Sequence, residues 1–378
     1  MPVTINYGYP GPYDTYIPND AASGGLIVGF SRDAKKFPVL KYIQMFPSKQ
    51  MIGIYWSYTS RNAARIVSPT DADHLWPDGD PAPPGSNNLE SFASIAYKTA
   101  RRAYPWTLGE LTTDQMSFDL IMTHMADMAQ QCMTARTMLV QAALSGASWG
   151  PNSAYVNPST PAAGGVGILQ AGQCWLNGSV GYDSNNGPNI KRSFQYGQKI
   201  IHLSTIGAVN TIKDLSVVFN VTTAQAMASS TEIQDYLKQS PVALAQVRGD
   251  VENQNGIWGL PTMLYTLGLV VEDAVRVSIN KNPANDLTVL PGFVMPDGIA
   301  YMLARQGKLE GLAGSRSYST IQVFFYRDEM TAETMYEQIH KRYLGRVISN
   351  YVPVISTTFS GFNFLGVLDY TGGTGPGT

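Results

Sequence analysis

Charge is scarce in this sequence. Only 14% of its 378 residues are Asp, Glu, Lys or Arg, against roughly a quarter in ordinary soluble domains. Lys+Arg 26 against Asp+Glu 28 leaves a net charge of -2. That excludes the global basic field with which a free DNA-binding domain gathers phosphates, and a lightly charged surface favours sticking to neighbours over dispersal. Cysteine is limited to Cys132 and Cys174, too few and too far apart for a disulfide framework or a zinc ligand set, so a reducing compartment is expected. The histidines are His74, His124, His202 and His340, and neither an HExxH pair, a Walker loop nor a clean GxGxxG occurs. No apolar run reaches the roughly 18 residues of a membrane span, and the opening stretch has no basic patch followed by an apolar core. A cytosolic, soluble protein with no membrane partner is expected, large enough for one large or two ordinary domains.

What is present is organised in blocks. Residues 1–30 are rich in Gly, Pro, Tyr and Asn without helical or strand period, which reads as an extended arm. From 31 to 65 there are seven basic residues (Arg32, Lys35, Lys36, Lys41, Lys49, Arg61 and Arg65) against one acid, Asp33. From 66 to 97 come five acids (Asp71, Asp73, Asp78, Asp80 and Glu90) with no Lys or Arg. Pro and Gly exclude regular structure over 76–88, while 51–60 and 92–104 read as strands. The expectation is a long hairpin with an irregular acidic tip. Asp71, Asp73 and His74 on such a tip make an acidic contact surface rather than a metal site, because a Pro-rich tip cannot hold ligands in fixed geometry.

A helix is expected over 112–146. Thr112 and Gln115 form a capping box, apolar residues from Phe118 to Ala143 recur near a 3.6-residue period, and Gly146 supplies the stop. Cys132 lies on the apolar stripe and reads as a small buried hydrophobe. Met116, Met122, Met125, Met128, Met133 and Met138 read as core filler or an adaptable contact face. After a Gly/Ser/Asn-rich loop (146–189) and a second helix near 191–208, the pattern turns α/β. Strands are expected at 214–220, 259–266, 274–279 and 320–327 and short helices at 223–229 and 231–239, with a further stretch at 287–305 and a β-rich one at 347–369. A helix is expected at 331–344, with Glu337 and His340 on its solvated face rather than as half of a di-iron motif. The tail TGGTGPGT is of low complexity.

The stretch NGIWGLPTMLYT, 255–266, raises the question of family. Gly256 and Gly259 permit backbone angles that other residues resist, Pro261 fixes φ at a strand entrance, and Trp258 reads as a buried plug. A strand at 214–220, short helices, and a loop ending in Gly-Ile-Trp-Gly-Leu-Pro before the next strand resemble the axial domain of tailed-bacteriophage major capsid proteins, a fold shared with encapsulin shells. By order and length the resemblance extends over roughly 30–370 and departs at the 146–189 loop.

The resemblance implies an α+β tailed-phage major capsid fold. Its parts would be an N-terminal arm with the first peripheral strand (1–65), an extended hairpin loop (66–109), and a peripheral domain with a spine helix (110–210). An α/β axial domain (211–318) and a peripheral return with a disordered tail (319–378) would follow. It implies a structural protein with no catalytic residue, cofactor or metal, built into hexamers and pentamers of an icosahedral shell around double-stranded DNA contacted non-specifically. Residues 1–40 are too short and irregular for an attached scaffold, which implies a separate scaffolding protein and a portal. The absence of Lys from 66–97 implies a non-covalent shell. The location implied is the virion capsid, assembled in the host bacterial cytoplasm. In this frame Asp71, Asp73, Asp78 and Asp80 of one subunit face Lys35, Lys36, Lys41, Arg61 and Arg65 of a neighbour, setting register more than affinity. An encapsulin-like nanocompartment and an α/β enzyme remain as alternatives.

Overall fold

A computed structural model of the chain describes residues 14–17, 37–58, 78, 92–110, 120–156, 167–168, 175, 189–205, 209–210, 212–248, 258–281, 287–305 and 319–368. In chain order its strands and helices begin with β1 (Asp14–Ile17), β2 (Gln44–Ser48), β3 (Ile52–Tyr58), β4 (Phe92–Lys98), β5 (Ala100–Gly109) and α1 (Leu120–Gly146). Then follow β6 (Ser153–Tyr155), β7 (Gly167–Ile168), α2 (Asn189–Ser204), β8 (Leu215–Asn220), α3 (Val221–Ser229), α4 (Thr231–Gln239) and α5 (Pro241–Arg248). The last part holds β9 (Met263–Leu264), β10 (Leu267–Glu272), β11 (Val275–Lys281), β12 (Leu287–Phe293), β13 (Ile299–Ala304), β14 (Ile321–Glu337), β15 (Arg342–Ile355) and β16 (Phe362–Leu365).

Period-two burial builds the seven-stranded mixed sheet, ordered β7-β6-β16-β13-β8-β10-β9. Leu215, Val217 and Phe219 of β8, Leu267, Leu269 and Val271 of β10, and Ala300 and Met302 of β13 enter one apolar cluster with residues of α2, α3 and α4. Val218, Val270, Tyr301 and Leu303, one position out of phase, enter a second cluster with Val140 and Leu144 of α1 and Ile321, Val323 and Tyr351 of the other sheet. A sheet buried on both faces needs apolar residues at nearly every position, which is why these strands read as continuous runs. The five-stranded sheet runs β1-β14-β15-β5, with β2 pairing parallel to β14 at its other end. Gly345 of β15 lies opposite Trp106 of β5, where a Cβ would sit 2.2 Å from the indole ring.

Helix α1 lies across this second sheet. Met125, Ala129, Cys132, Met133, Arg136, Val140 and Leu144 are buried at steps of three and four, and Trp106, Leu108, Ala332 and Val347 form the floor beneath its first half. The burial expected for Cys132 is present, and the helix stops at Gly146 as its glycine signal indicates. The expected capping box at Thr112 and Gln115 lies outside the described residues. At 27 residues the helix is about 40 Å long.

Three expectations fail. Residues 331–344 form no helix: they are the end of β14, a turn, and the start of β15. The helix-forming residues lose to cross-strand pairing, since Glu333 lies opposite Arg346 and Glu337 opposite Arg342, each pair forming a salt bridge, and Ala332 and Thr334 alternate inward. The strand expected over 259–266 shrinks to Met263–Leu264, because Tyr265 (φ 49°) and Thr266 (φ 72°) form a tight hairpin turn that sends the chain into β10. The single strand expected over 92–104 divides at Thr99, whose N–H donates to the Met51 carbonyl at 2.8 Å; β4 pairs with β3 and β5 with β15.

Candidate assembly surfaces and their internal anchors

The expected hairpin exists: β3 and β4 pair antiparallel from Ile52–Lys98 to Tyr58–Phe92 and belong to neither large sheet. Its root is fixed by Tyr97, which stacks on Phe324 of β14 with ring centroids 4.2 Å apart and donates from its hydroxyl to Ser48 Oγ at 3.0 Å. On either side of that root Ile52 (59%) and Ile54 (65%) are exposed on one face, by period two, and Ile95 on the other. A second two-stranded unit, β11–β12, also stands apart from both sheets; its pairing partner was not anticipated from sequence. Isolated two-stranded hairpins are marginally stable in water, so both units suit cover by another surface.

Of the charged residues expected to face a neighbour, Asp78 is exposed and Lys41 lies in the 3-10 turn Pro38–Tyr42. Asp71, Asp73, Asp80, Lys35, Lys36, Arg61 and Arg65 lie outside the described residues, as does Gly256. In the axial stretch Trp258 is not a plug. It is 46% exposed, at φ 54°, next to Gly259 at φ 81°. Two consecutive left-handed residues turn the backbone so that Leu260, fully buried, and Pro261 enter the core instead. A bulky residue in the left-handed region is strained, and glycine at 259 relieves the neighbouring position, where its backbone passes the Ala228 Cβ. Trp258 and Met263, between α5 and β10, and Val242, in the first turn of α5, are exposed apolar residues.

Beneath these surfaces sit three buried charged groups that sequence reasoning missed. Glu232 of α4 accepts from the N–H groups of Ile190 (2.8 Å) and Lys191 (2.9 Å) in the first turn of α2, and from the Tyr265 hydroxyl at 2.9 Å. It supplies the anion that a helix N-terminus favours, from another helix. Glu272, at the end of β10, accepts from Val39 N–H at 3.0 Å and Ala274 N–H at 3.1 Å. It thereby ties the 3-10 turn Pro38–Tyr42 to the central sheet. Desolvation pushes its carboxyl up to about 7, against the pull of those two N–H groups. Arg136 of α1 donates to Ser349 Oγ (3.0 Å) and lies 4.7 Å over the Tyr351 ring, while burial drives the Tyr351 hydroxyl upward. None of the three carries a sequence signal: only the fold brings position 232 to 190, 272 to 39, or 136 to 349.

The pair Glu337 and His340 sits at a hairpin tip, with Nδ1 of His340 2.6 Å from Oε1 of Glu337. Hydrogen bonds from Arg342 and then from His340 hold the Glu337 carboxyl below its usual range. This is a charge-paired turn on an exposed surface. Among the described residues no three His, Cys, Asp or Glu side chains converge as a metal site, and no helix is long and apolar enough to cross a membrane.

No family model and no curated protein matches the chain. Solved structures do. A phage-related protein from Bordetella bronchiseptica RB50 is similar at TM-score 0.53 and 10% identity, over 92% of this chain and 97% of that one. The capsid of cyanophage P-SCSP1u (TM-score 0.49, 7% identity, 86% of each chain) and the capsid of Ralstonia phage GP4 (TM-score 0.48, 11% identity, 88% and 89%) are also matched. The chain has the α+β fold of the Bordetella phage-related protein along nearly its whole length.

Proposed function

We propose that this chain is the major capsid protein of a tailed double-stranded DNA bacteriophage, a structural subunit rather than an enzyme, that assembles in many copies into an icosahedral shell. The observation that carries the reading is a whole-length phage-protein fold from which a β3–β4 hairpin projects with Ile52, Ile54 and Ile95 exposed. Exposed apolar residues on both faces of a hairpin held only near its root suit burial between subunits, in contacts of order 2,000–5,000 Å². The divisions 66–109 as extended loop, 110–210 and 319–378 as peripheral parts and 211–318 as axial domain belong to this reading. So do a separate scaffolding protein, a portal, and assembly in the host cytoplasm. The acidic block with Asp71, Asp73, Asp78 and Asp80 then lies on the basic 31–65 stretch of a neighbour.

The test is light scattering with negative-stain electron microscopy on the recombinant chain, alone and with candidate scaffold. Closed particles, or five- and six-membered rings, are expected. Ile52→Thr with Ile54→Thr keeps the strand propensity, leaves monomer stability within about 0.5 kcal/mol, and abolishes particles. Reversing the four aspartates to lysine is expected to disrupt or misregister assembly, and unaltered shells would refute the charge pairing. A chain that stays monomeric at high concentration under every condition would refute the shell itself.

A further inference from the structure

Three exposed cations stand at the root of the β3–β4 hairpin: Lys49 in the turn before β3, Lys98 at the end of β4 and Arg101 near the start of β5. The bond from Thr99 N–H to the Met51 carbonyl, 2.8 Å, holds the two chain segments that carry them side by side. Lys98 lies directly opposite Ile52, and Ala96 opposite Ile54; opposed side chains share a face. One face of the hairpin therefore reads, from the root outward, Lys98 beside Ile52, then Ala96 beside Ile54, and all four are exposed. Among the described residues no carboxylate pairs with Lys49, Lys98 or Arg101; the salt bridges use Lys238, His340, Arg342 and Arg346.

We propose that this face, with the cations at its root, is the seat of segment 71–80 of a second copy of the chain. The inference rests on the shell reading and names the receiving surface and the part of the neighbour that enters it. Of the basic 31–65 stretch only Lys49 belongs to this seat; Lys98 and Arg101 come from outside it. The segment, DADHLWPDGD, has four acids around a Leu75–Trp76 centre, and no Lys or Arg occurs from 66 to 97. Its acids match the three cations, and its two apolar side chains match the exposed Ile52 and Ile54. An apolar centre with a charged rim is the anatomy of a specific contact. The ten residues 71–80 reach at most about 36 Å, enough to lie along β3, whose 7 residues span about 24 Å. On its own chain the segment is connected through Tyr58, at the end of the hairpin away from Lys98, and would have to double back to reach these cations. A neighbour's segment has no such constraint. Each copy carries both a seat and a segment, so the contact is head to tail and closes into rings.

The experiment uses two full-length variants, K49E/K98E/R101E with the seat reversed and D71K/D73K/D78K/D80K with the segment reversed. Each alone is expected to form no rings or particles. An equimolar mixture is expected to form six-membered rings, because seats and segments of opposite sign then alternate round the ring. Pairing within one chain leaves every molecule mismatched and the mixture inert, and that result, or normal assembly by either variant alone, would overturn the assignment. A second measurement does not depend on the variants folding: fluorescence anisotropy of a labelled peptide of residues 68–85 with the unassembled wild-type chain. Binding is expected to weaken about ten-fold in about 0.5 M salt, and by a similar factor for the D71N/D73N/D78N/D80N peptide. No binding at low salt, or equal affinity for the two peptides, would sink the proposal. Wild-type shells in any of those cases leave the shell reading standing, whereas a wild type that never assembles removes that reading and this inference with it.

Discussion

Glu272 makes stability depend on pH in a direction opposite to the usual carboxylate. Its carboxyl titrates near 7 in the folded chain and near 4.5 when solvated. The folded state therefore holds the extra proton between those values, and stability is full below about pH 4.5 and falls as pH rises through 7. From about pH 5 to pH 8 the loss from this one group is roughly 2–3 kcal/mol. Glu272→Gln removes the titration. Its amide keeps one N–H bond but turns its own donors toward the other, so it begins about 1–3 kcal/mol less stable at low pH. Urea unfolding of the unassembled chain at several pH values reads both effects: the wild-type free energy declines over this window and the variant stays flatter. Because Val39 is bound to the same carboxylate, hydrogen exchange at the 3-10 turn Pro38–Tyr42 should quicken over the same window. Parallel pH profiles for wild type and variant would refute the burial argument.

Other perturbations separate the anchors from the surface. Leu260→Ala, at a fully buried side chain, is expected to cost about 2–5 kcal/mol, whereas Trp258→Ala, half-exposed and next to a glycine turn, costs less than about 1 kcal/mol; urea midpoints of the two variants test the order. Glu232→Ala leaves two N–H donors of α2, one buried and one part-buried, without their acceptor, a loss of about 1–3 kcal/mol. Far-UV circular dichroism and hydrogen exchange at Ile190 and Lys191 should register it, and unchanged exchange there would contradict the capping role.

Much of the architecture was legible because it rests on periodicity. The run at 215–220 is largely apolar because both faces of its sheet are covered, and Ser230 caps α4 by accepting at its hydroxyl oxygen from Ile233 N–H, just where the short helices are punctuated. What was illegible depends on contacts distant in sequence or on unusual backbone. Tyr265 and Thr266 turn a hairpin without the Asn-Gly or Asp-Gly signal, so β10 was missed as the parallel partner of β8. The 331–344 stretch has helix-forming composition, and only the opposing strand at 342–350 decides otherwise. Trp258 looked like a core residue because size was the cue, but the left-handed backbone at 258 and 259 reverses which side chain points inward.

Among the described residues three charged side chains are buried while several large apolar ones face water. Arg136, Glu232 and Glu272 are each no more than 5% exposed, while Ile52, Ile54, Met263 and Val242 face water. Buried ionisable groups are seldom a source of net stability, so their use here is positional: each fixes one element of the fold against another. Glu272 holds the N-terminal turn, Glu232 holds the start of α2, and Arg136 holds α1 against β15. Exposed isoleucines on a marginal hairpin bring nothing to an isolated chain, yet on a frame positioned in this way they become contacts that every copy can repeat. Rigid elements inside and apolar side chains outside are the two properties the proposed shell would require of its subunit, and here separate residues supply them.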